Sequence, residues 1–163
     1  MVRPIQPLDN KSDFNKLVDT FLKFLDNHET FKFMSYSLIR FDKETIEDLT
    51  SKHKEHGIDY IVYEKDELFK GVLSIKRNPS QGFELFSLLV DKNNQKTGIG
   101  QDLINECTKI ANREGFKCID VLVFSDNKNM LRLLIKNDYR PIDIQHQARA
   151  DGMDLVKLRK YIN

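Results

Sequence analysis

The sequence has no tryptophan, only two cysteines and four prolines, and no apolar run of membrane length. Each scarcity closes a class of protein. Cys107 and Cys118 lie within apolar segments and show no metal-ligand spacing, so they are expected as buried thiols of a reducing compartment, with no metal bound. No stretch approaches the roughly 20 apolar residues of a membrane span. The opening "MVRPIQPLDN" lacks the apolar core of a signal peptide, and a cytoplasmic protein without a membrane partner is expected. There is no linker rich in Pro, Gly or Ser, no low-complexity tract and no internal repeat, which argues against a second domain. A formal net charge of +1 gives no global electrostatic reason to expect nucleic acid.

What is present describes a globular chain: 40% hydrophobic and 31% charged residues over 163 positions. That length fits one domain, 1–163, and lets about 70% of the unfolded surface be buried without disulfide or metal.

"RPIQPL" reads as a short extended start whose prolines suit an edge. Phe14, Leu17, Val18, Phe21, Leu22 and Leu25 recur at three- and four-residue intervals and predict an amphipathic helix over residues 10–27. "FKFMSYSLIRF", residues 31–41, is aromatic-rich and open to two readings, a core-covering segment or a substrate lid or subunit contact. Asp42 caps a second helix carrying Ile46 and Leu49, which stops at Gly57. "IDYIVYE" and "LFKGVLSIK", separated by "KDE", form a hairpin, and "RNPSQG" turns the chain into "FELFSLLVD". A helix over residues 98–114 precedes "KCIDVLVF", a continuous apolar run suited to a parallel strand buried on both faces. A short helix with Met130, Leu131 and Leu134 and two strands, "YRPIDIQHQ" and "MDLVKLRKY", complete the order β–α–α–β–β–β–α–β–α–β–β. The fourth strand, its helix and the fifth strand make a right-handed parallel crossover.

Two glycines flank one isoleucine where the fourth strand passes into its helix: "NNQKTGIG". A helix opening presents unpaired N–H groups and the positive end of its dipole, and glycines let an anion reach that backbone. The phosphate-loop pattern does not fit, because Gln101 and Asp102 follow Gly100; the dinucleotide pattern fails at Leu103. Taken alone, the pair could equally be a tight turn.

"VDKNNQKTGIG" resembles the pyrophosphate-binding motif of the GNAT superfamily of N-acetyltransferases, with Gln95, Gly98 and Gly100 in its signature positions and Val90 at the matching strand end. "NKNMLRLLIKNDYRP" resembles that family's next motif through Asn127, Met130, Lys136 and Tyr139. The likeness covers the whole element order and is most detailed between residues 84 and 141. It implies an α/β (α+β) fold: a mixed central sheet of about seven strands flanked by about four helices, with a splay between the fourth and fifth strands.

The resemblance implies acetyl-CoA as co-substrate and an amine as acceptor. The amides of Gln95, Lys96, Thr97, Gly98, Ile99 and Gly100 would cradle the pyrophosphate, with charge added by Lys96. The pantetheine arm would lie along Leu88, Leu89 and Val90, held from the other side by Asn127, which can also cap its helix. A homodimer is left open.

Acetyl transfer requires the amine to lose a proton, since an alkylamine of pKa about 10.4 is almost wholly protonated at neutral pH. Backbone N–H groups near Leu88 are the family's usual oxyanion donors. Glu84 is the candidate base, because strand alternation puts Glu84, Phe86, Leu88 and Val90 on one face; the competing reading is a cross-strand charge partner. His146 is a second candidate, whereas His28, His53 and His56 read as surface residues. The tyrosine that many family members use to protonate the leaving thiolate is replaced by Leu134, leaving water, Ser125 or Tyr139 for that role, or no acid at all. An N-acetyltransferase acting by direct attack is therefore expected. The alternatives are a non-catalytic acyl-CoA-binding module and a partner-binding domain using residues 31–41.

Overall fold

A computed structural model describes residues 1–78 and 82–162. The turn expected over "RNPSQG" falls largely on residues 79–81, outside the described residues. The described elements are β1 Val2–Ile5, α1 Lys11–Leu25, α2 His28–Lys32, α3 Lys43–His53, β2 Ile58–Lys65, β3 Leu68–Asn78, β4 Gly82–Val90, α4 Ile99–Arg113, β5 Cys118–Phe124, α5 Lys128–Lys136, β6 Arg140–Gln145 and β7 Leu155–Tyr161.

Helix starts follow the polar residues that can accept from free N–H groups. Asn10 accepts from Ser12 and Asp13 at 2.9 and 3.2 Å, and Asp42 accepts from Thr45 at 2.8 Å. Asn27 caps α2, a one-turn helix that ends at the start of the ambiguous aromatic stretch and brings the helices among the described residues to five. α3 ends at His53, short of the expected stop at Gly57.

The seven strands form one sheet in the order β1-β2-β3-β4-β5-β7-β6. β1 to β4 are antiparallel neighbours, β4 and β5 are parallel, and β7 inserts antiparallel between β5 and β6. Each face carries its own core. Ile61, Leu73, Ile75, Phe83, Leu85, Ile119 and Val121 pack under α4 and α5. Tyr60, Val62, Val72 and Leu89 pack under α1 and α3, against Leu17, Val18, Phe21 and Ile46.

Two irregularities shape the middle of the sheet. β4 pairs with β5 only from Phe83 to Leu85, opposite Ile119 to Val121, so the strands part beyond that point. In β4, Ser87 stands opposite Ser74 and Leu85 opposite Ile75, which leaves Phe86 as a bulge residue. The bulge corrects the expected alternation. Leu88 and Val90 belong to the α4 face, whereas Glu84, opposite Lys76, and Leu89 belong to the α1 face. Among the described residues no helix is long and apolar enough to cross a membrane, and no group of His, Cys, Asp and Glu could hold a metal ion.

Candidate active site

The cleft opens where β4 and β5 separate, and the glycine-containing loop lies at its far end. Asp91 closes β4 by accepting from Asn93 N at 3.0 Å and from Lys23 Nζ at 2.9 Å. The chain then turns through Lys96, at φ +64°, and Gly98, at φ +94°, into α4. The two glycines have different reasons to be there. A Cβ on Gly98 would meet no atom within 4 Å, so it is the left-handed backbone that favours glycine. A Cβ on Gly100 would lie 3.1 Å from Leu133 Cδ2 of α5 and 3.9 Å from Leu88 and Val90, so this glycine allows close packing of three elements.

Four of the five helices have a side-chain N-cap: Asn10, Asn27, Asp42 and Asn127. α4 has none among the described residues. Its first-turn N–H groups therefore lack a side-chain acceptor among the described residues, at the positive end of a 15-residue helix. Asn127 caps α5, its Oδ1 accepting from Met130 N at 3.2 Å, and its amide N–H groups have no described partner.

Glu84 sits where the strands begin to part, opposite Asp120 in the parallel ladder. Burial pushes its carboxyl above the ordinary range; Lys76 pulls it down, Asp120 raises it, and Lys157 pulls it down again. Glu84 has no ion-pair partner among the described residues, whereas Asp120 receives Arg159 Nε at 2.6 Å and Lys157 Nζ at 3.1 Å. Burial raises the Asp120 carboxyl too, but those hydrogen bonds outweigh it and hold Asp120 below its ordinary value. The two carboxylates are thus driven apart, Asp120 charged and Glu84 easier to protonate.

His146 lies beyond the end of β6, with 77% of its side chain exposed, beside Asp154 at 3.4 Å. Three ladder steps and about five residues of strand separate it from Glu84, on the order of 20 Å, so the two candidate bases do not share a site. His53, read as a surface residue, is instead half-buried: it contacts Tyr60 through Nδ1, and its ring meets Phe86 edge-on at 6.4 Å. Burial lowers its pKa to about 4, so the imidazole is neutral at pH 7.

The hydroxyls considered for the missing tyrosine do not take its place. Tyr139 is buried near Cys107 and Lys160, toward the end of β5 where the sheet stays paired. Ser125 Oγ donates to Met153 Sδ at 3.2 Å. Leu134 itself is wholly buried in the α4-side core.

Sequence reading missed Tyr36. The aromatic segment divides: Phe31 is buried and pairs edge-on with Phe41 at 6.1 Å, whereas Tyr36 turns outward over β5, its ring edge-on to Phe124 at 5.1 Å. No local signal in the sequence separates Tyr36 from its aromatic neighbours; the fold alone divides them. Two hollows lie elsewhere, about 170 Å³ beside Phe31 and Phe41 and about 620 Å³ between α4 and β7. Neither is lined by Glu84 or the loop, so the open cleft between β4 and β5 outweighs both on chemical grounds.

A family model described as acetyltransferase (GNAT) family matches residues 21–138, more than half of the chain. No curated protein matches at a significant level. Among solved structures the chain is similar to a ribosomal-protein-alanine N-acetyltransferase from Brucella melitensis, with TM-score 0.76, 19% identity and 99% of both chains covered. It is similar to an acetyltransferase of the GNAT family from Streptococcus pneumoniae, with TM-score 0.76, 18% identity, and 100% of this chain and 99% of that one covered. A third likeness is to yncA from Salmonella typhimurium, described as an acetyltransferase and solved with its cofactor acetyl-CoA. There the TM-score is 0.74 at 16% identity, covering 100% of this chain and 94% of that one. At such identities these likenesses concern the fold.

Proposed function

The chain belongs to the acetyltransferase (GNAT) family, and from that premise we propose that it acetylates a primary amine by direct attack, with Glu84 as the base. It is an acyltransferase, and its co-substrate is acetyl-CoA. The observation that carries the proposal is the uncapped start of α4, with its free N–H groups opening beside Gly98 at the end of the splayed strand. Such a helix start fits a pyrophosphate.

When bound, acetyl-CoA supplies an activated acyl group; the protein's residues do the rest. The loop from Gln95 to Gly100 anchors the phosphates, with Lys96 adding charge. Leu88, Leu89 and Val90, unpaired by β5, offer backbone to the extended arm, and the Asn127 amide holds it from α5. N–H groups beside Leu88, on the stretch of β4 that β5 leaves unpaired, would stabilise the carbonyl oxygen as negative charge grows on it. Glu84 takes the amine proton as nitrogen forms its bond to the acyl carbon and the carbon–sulfur bond breaks, its electron pair leaving on sulfur. A thiol of pKa about 8.5 leaves tolerably without an acid, so Leu134 does not prevent turnover. We assign the base to Glu84 rather than His146 because Glu84 lies at the fork of the strands, where burial raises its carboxyl above the ordinary range and so makes it a stronger proton acceptor.

The proposal treats residues 1–163 as one catalytic domain. It takes the cytoplasm as the location, which suits the free cysteines Cys107 and Cys118. The edge strand β6, with Ile142 and Ile144 exposed, is the surface on which a homodimer would form. Calorimetry with CoA, paired with thiol release from acetyl-CoA over an amine panel, tests the function. Failure to bind CoA overturns it.

A further inference from the structure

Family membership leaves the acceptor open, but the sheet face around Glu84 carries its chemistry, an inference that rests on the role given to Glu84 above. Three large apolar side chains stay exposed there: Tyr36 at 50%, Phe86 at 42% and Leu122 at 41%. Glu84 pairs with Asp120, and two residues further along the diverging strands stand Phe86 and Leu122. Phe124 follows Leu122 on the same face of β5, and it carries Tyr36. The three side chains therefore surround the approach to Glu84.

This wall is held in place from outside the cleft. Ala150 N donates to Tyr36 O at 2.8 Å. Next to it, Arg149, with 1% of its side chain exposed, donates to Lys32 O at 3.1 Å and to Asp126 at 2.6 and 3.2 Å, while its guanidinium lies 4.9 Å over the Phe124 ring. Phe86 is gripped between the His53 ring and Lys76 Nζ, 5.8 Å from its centre. The charges facing the wall are Lys76 from β3, Asp120 from β5, Lys157 and Arg159 from β7, and the neutral His53 from α3. Asp120 is already paired with Lys157 and Arg159, so of these two carboxylates Glu84 is left for an amine. A second ammonium on the acceptor would meet Lys76 or Lys157.

We propose that the acceptor is a primary monoamine on an apolar or aromatic group, its nitrogen at Glu84 and its apolar part between Tyr36, Phe86 and Leu122. Polyamines and strongly hydrophilic amines are disfavoured, the first by the flanking lysines and the second by the wall left uncovered.

The test uses the intact protein with acetyl-CoA, measuring thiol release with phenethylamine, ethanolamine and spermidine. Phenethylamine should exceed both others in kcat/KM by at least about tenfold, the discrimination expected of one or two apolar contacts. Tyr36→Ala should raise the KM for phenethylamine about tenfold. Ethanolamine or spermidine matching phenethylamine overturns the inference and leaves acetyl transfer standing. If none of the amines turns over, phenethylamine is titrated calorimetrically into CoA-saturated protein, and absence of binding overturns it equally. Loss of CoA binding would instead defeat the acetyltransferase function itself.

Discussion

Glu84 and Asp120 stand opposite each other in the last paired stretch of β4 and β5, yet only Asp120 is held by cations. Burial is the main reason the Glu84 carboxyl is raised, and the charge on Asp120 adds to it, with no ion-pair partner at Glu84 among the described residues to offset either. The folded pKa of Glu84 is raised, so ionising it costs stability that is fully present below its unfolded pKa and lost as pH rises through the folded value.

Glu84→Gln should lower turnover by roughly 10²–10⁴-fold, the usual worth of a positioned base. The same variant should melt no lower than the parent at pH 7, and the defect should shrink as pH rises and free amine becomes abundant. Asp120→Asn should shift the acid limb of the pH–rate profile downward, because it removes a like charge and frees Lys157 to act on Glu84. A Glu84→Gln protein with parental rates from acid to alkaline pH would move the base to water or His146.

Arg149→Leu should weaken the clamp on Tyr36. The substitution removes five hydrogen bonds to Asp126, Asp151 and Lys32 O, but the two carboxylates can rehydrate, so the stability cost should be about 2 kcal/mol. KM for the amine should rise more than kcat falls. Arg149→Lys should recover little of this, since an ammonium cannot make the paired contacts of a guanidinium. Equal changes in KM and kcat would make Arg149 a purely structural residue.

Legibility in the sequence followed the range of the interactions. Caps at Asp42 and Asn127 were readable because they depend on three or four consecutive residues. The parallel crossover was readable from the apolar run of β5. The bulge at Phe86 was not, since "FELFSLLV" reads as one continuous strand despite Glu84 and Ser87, and nothing local marks which residue loses its partner in β3. His53 lies only seven residues from Tyr60, but its burial depends on β2 and β4 lying beneath α3. Tyr36 and Glu84 are 48 positions apart and come near one another only because the β6–β7 connection carries the aromatic segment over β5.

Acid should loosen the N-terminal strand. Arg3 bonds Asp13 at 2.7 and 2.9 Å and Glu64 at 2.7 Å, and its hydrogen bonds are the main reason both carboxyls titrate below their ordinary values. Lowered folded pKa values mean stability that is present above the unfolded range near pH 4 and lost as pH falls through the folded values. Arg3→Ala should cost about 1–3 kcal/mol at pH 7 and flatten the loss of melting temperature between neutral and acid pH. A variant with the parent's full acid sensitivity would show that other carboxylates set it.

The two loop glycines make separable predictions. Gly100→Val should push against Leu133 of α5 and lower the melting temperature without regard to ligand, because its Cβ enters a packed interface. Gly98→Val enters open space, so its cost to the free protein is only that of left-handed backbone, about 1–2 kcal/mol. The empty space is the side from which a pyrophosphate would reach the free N–H groups of α4, and a branched side chain there stands in its way. Calorimetry should therefore show CoA affinity at least about tenfold weaker in Gly98→Val, with the fold retained by circular dichroism. If the melting temperature falls while CoA affinity holds, Gly98 serves the turn alone, and the phosphates must be bound elsewhere on the chain.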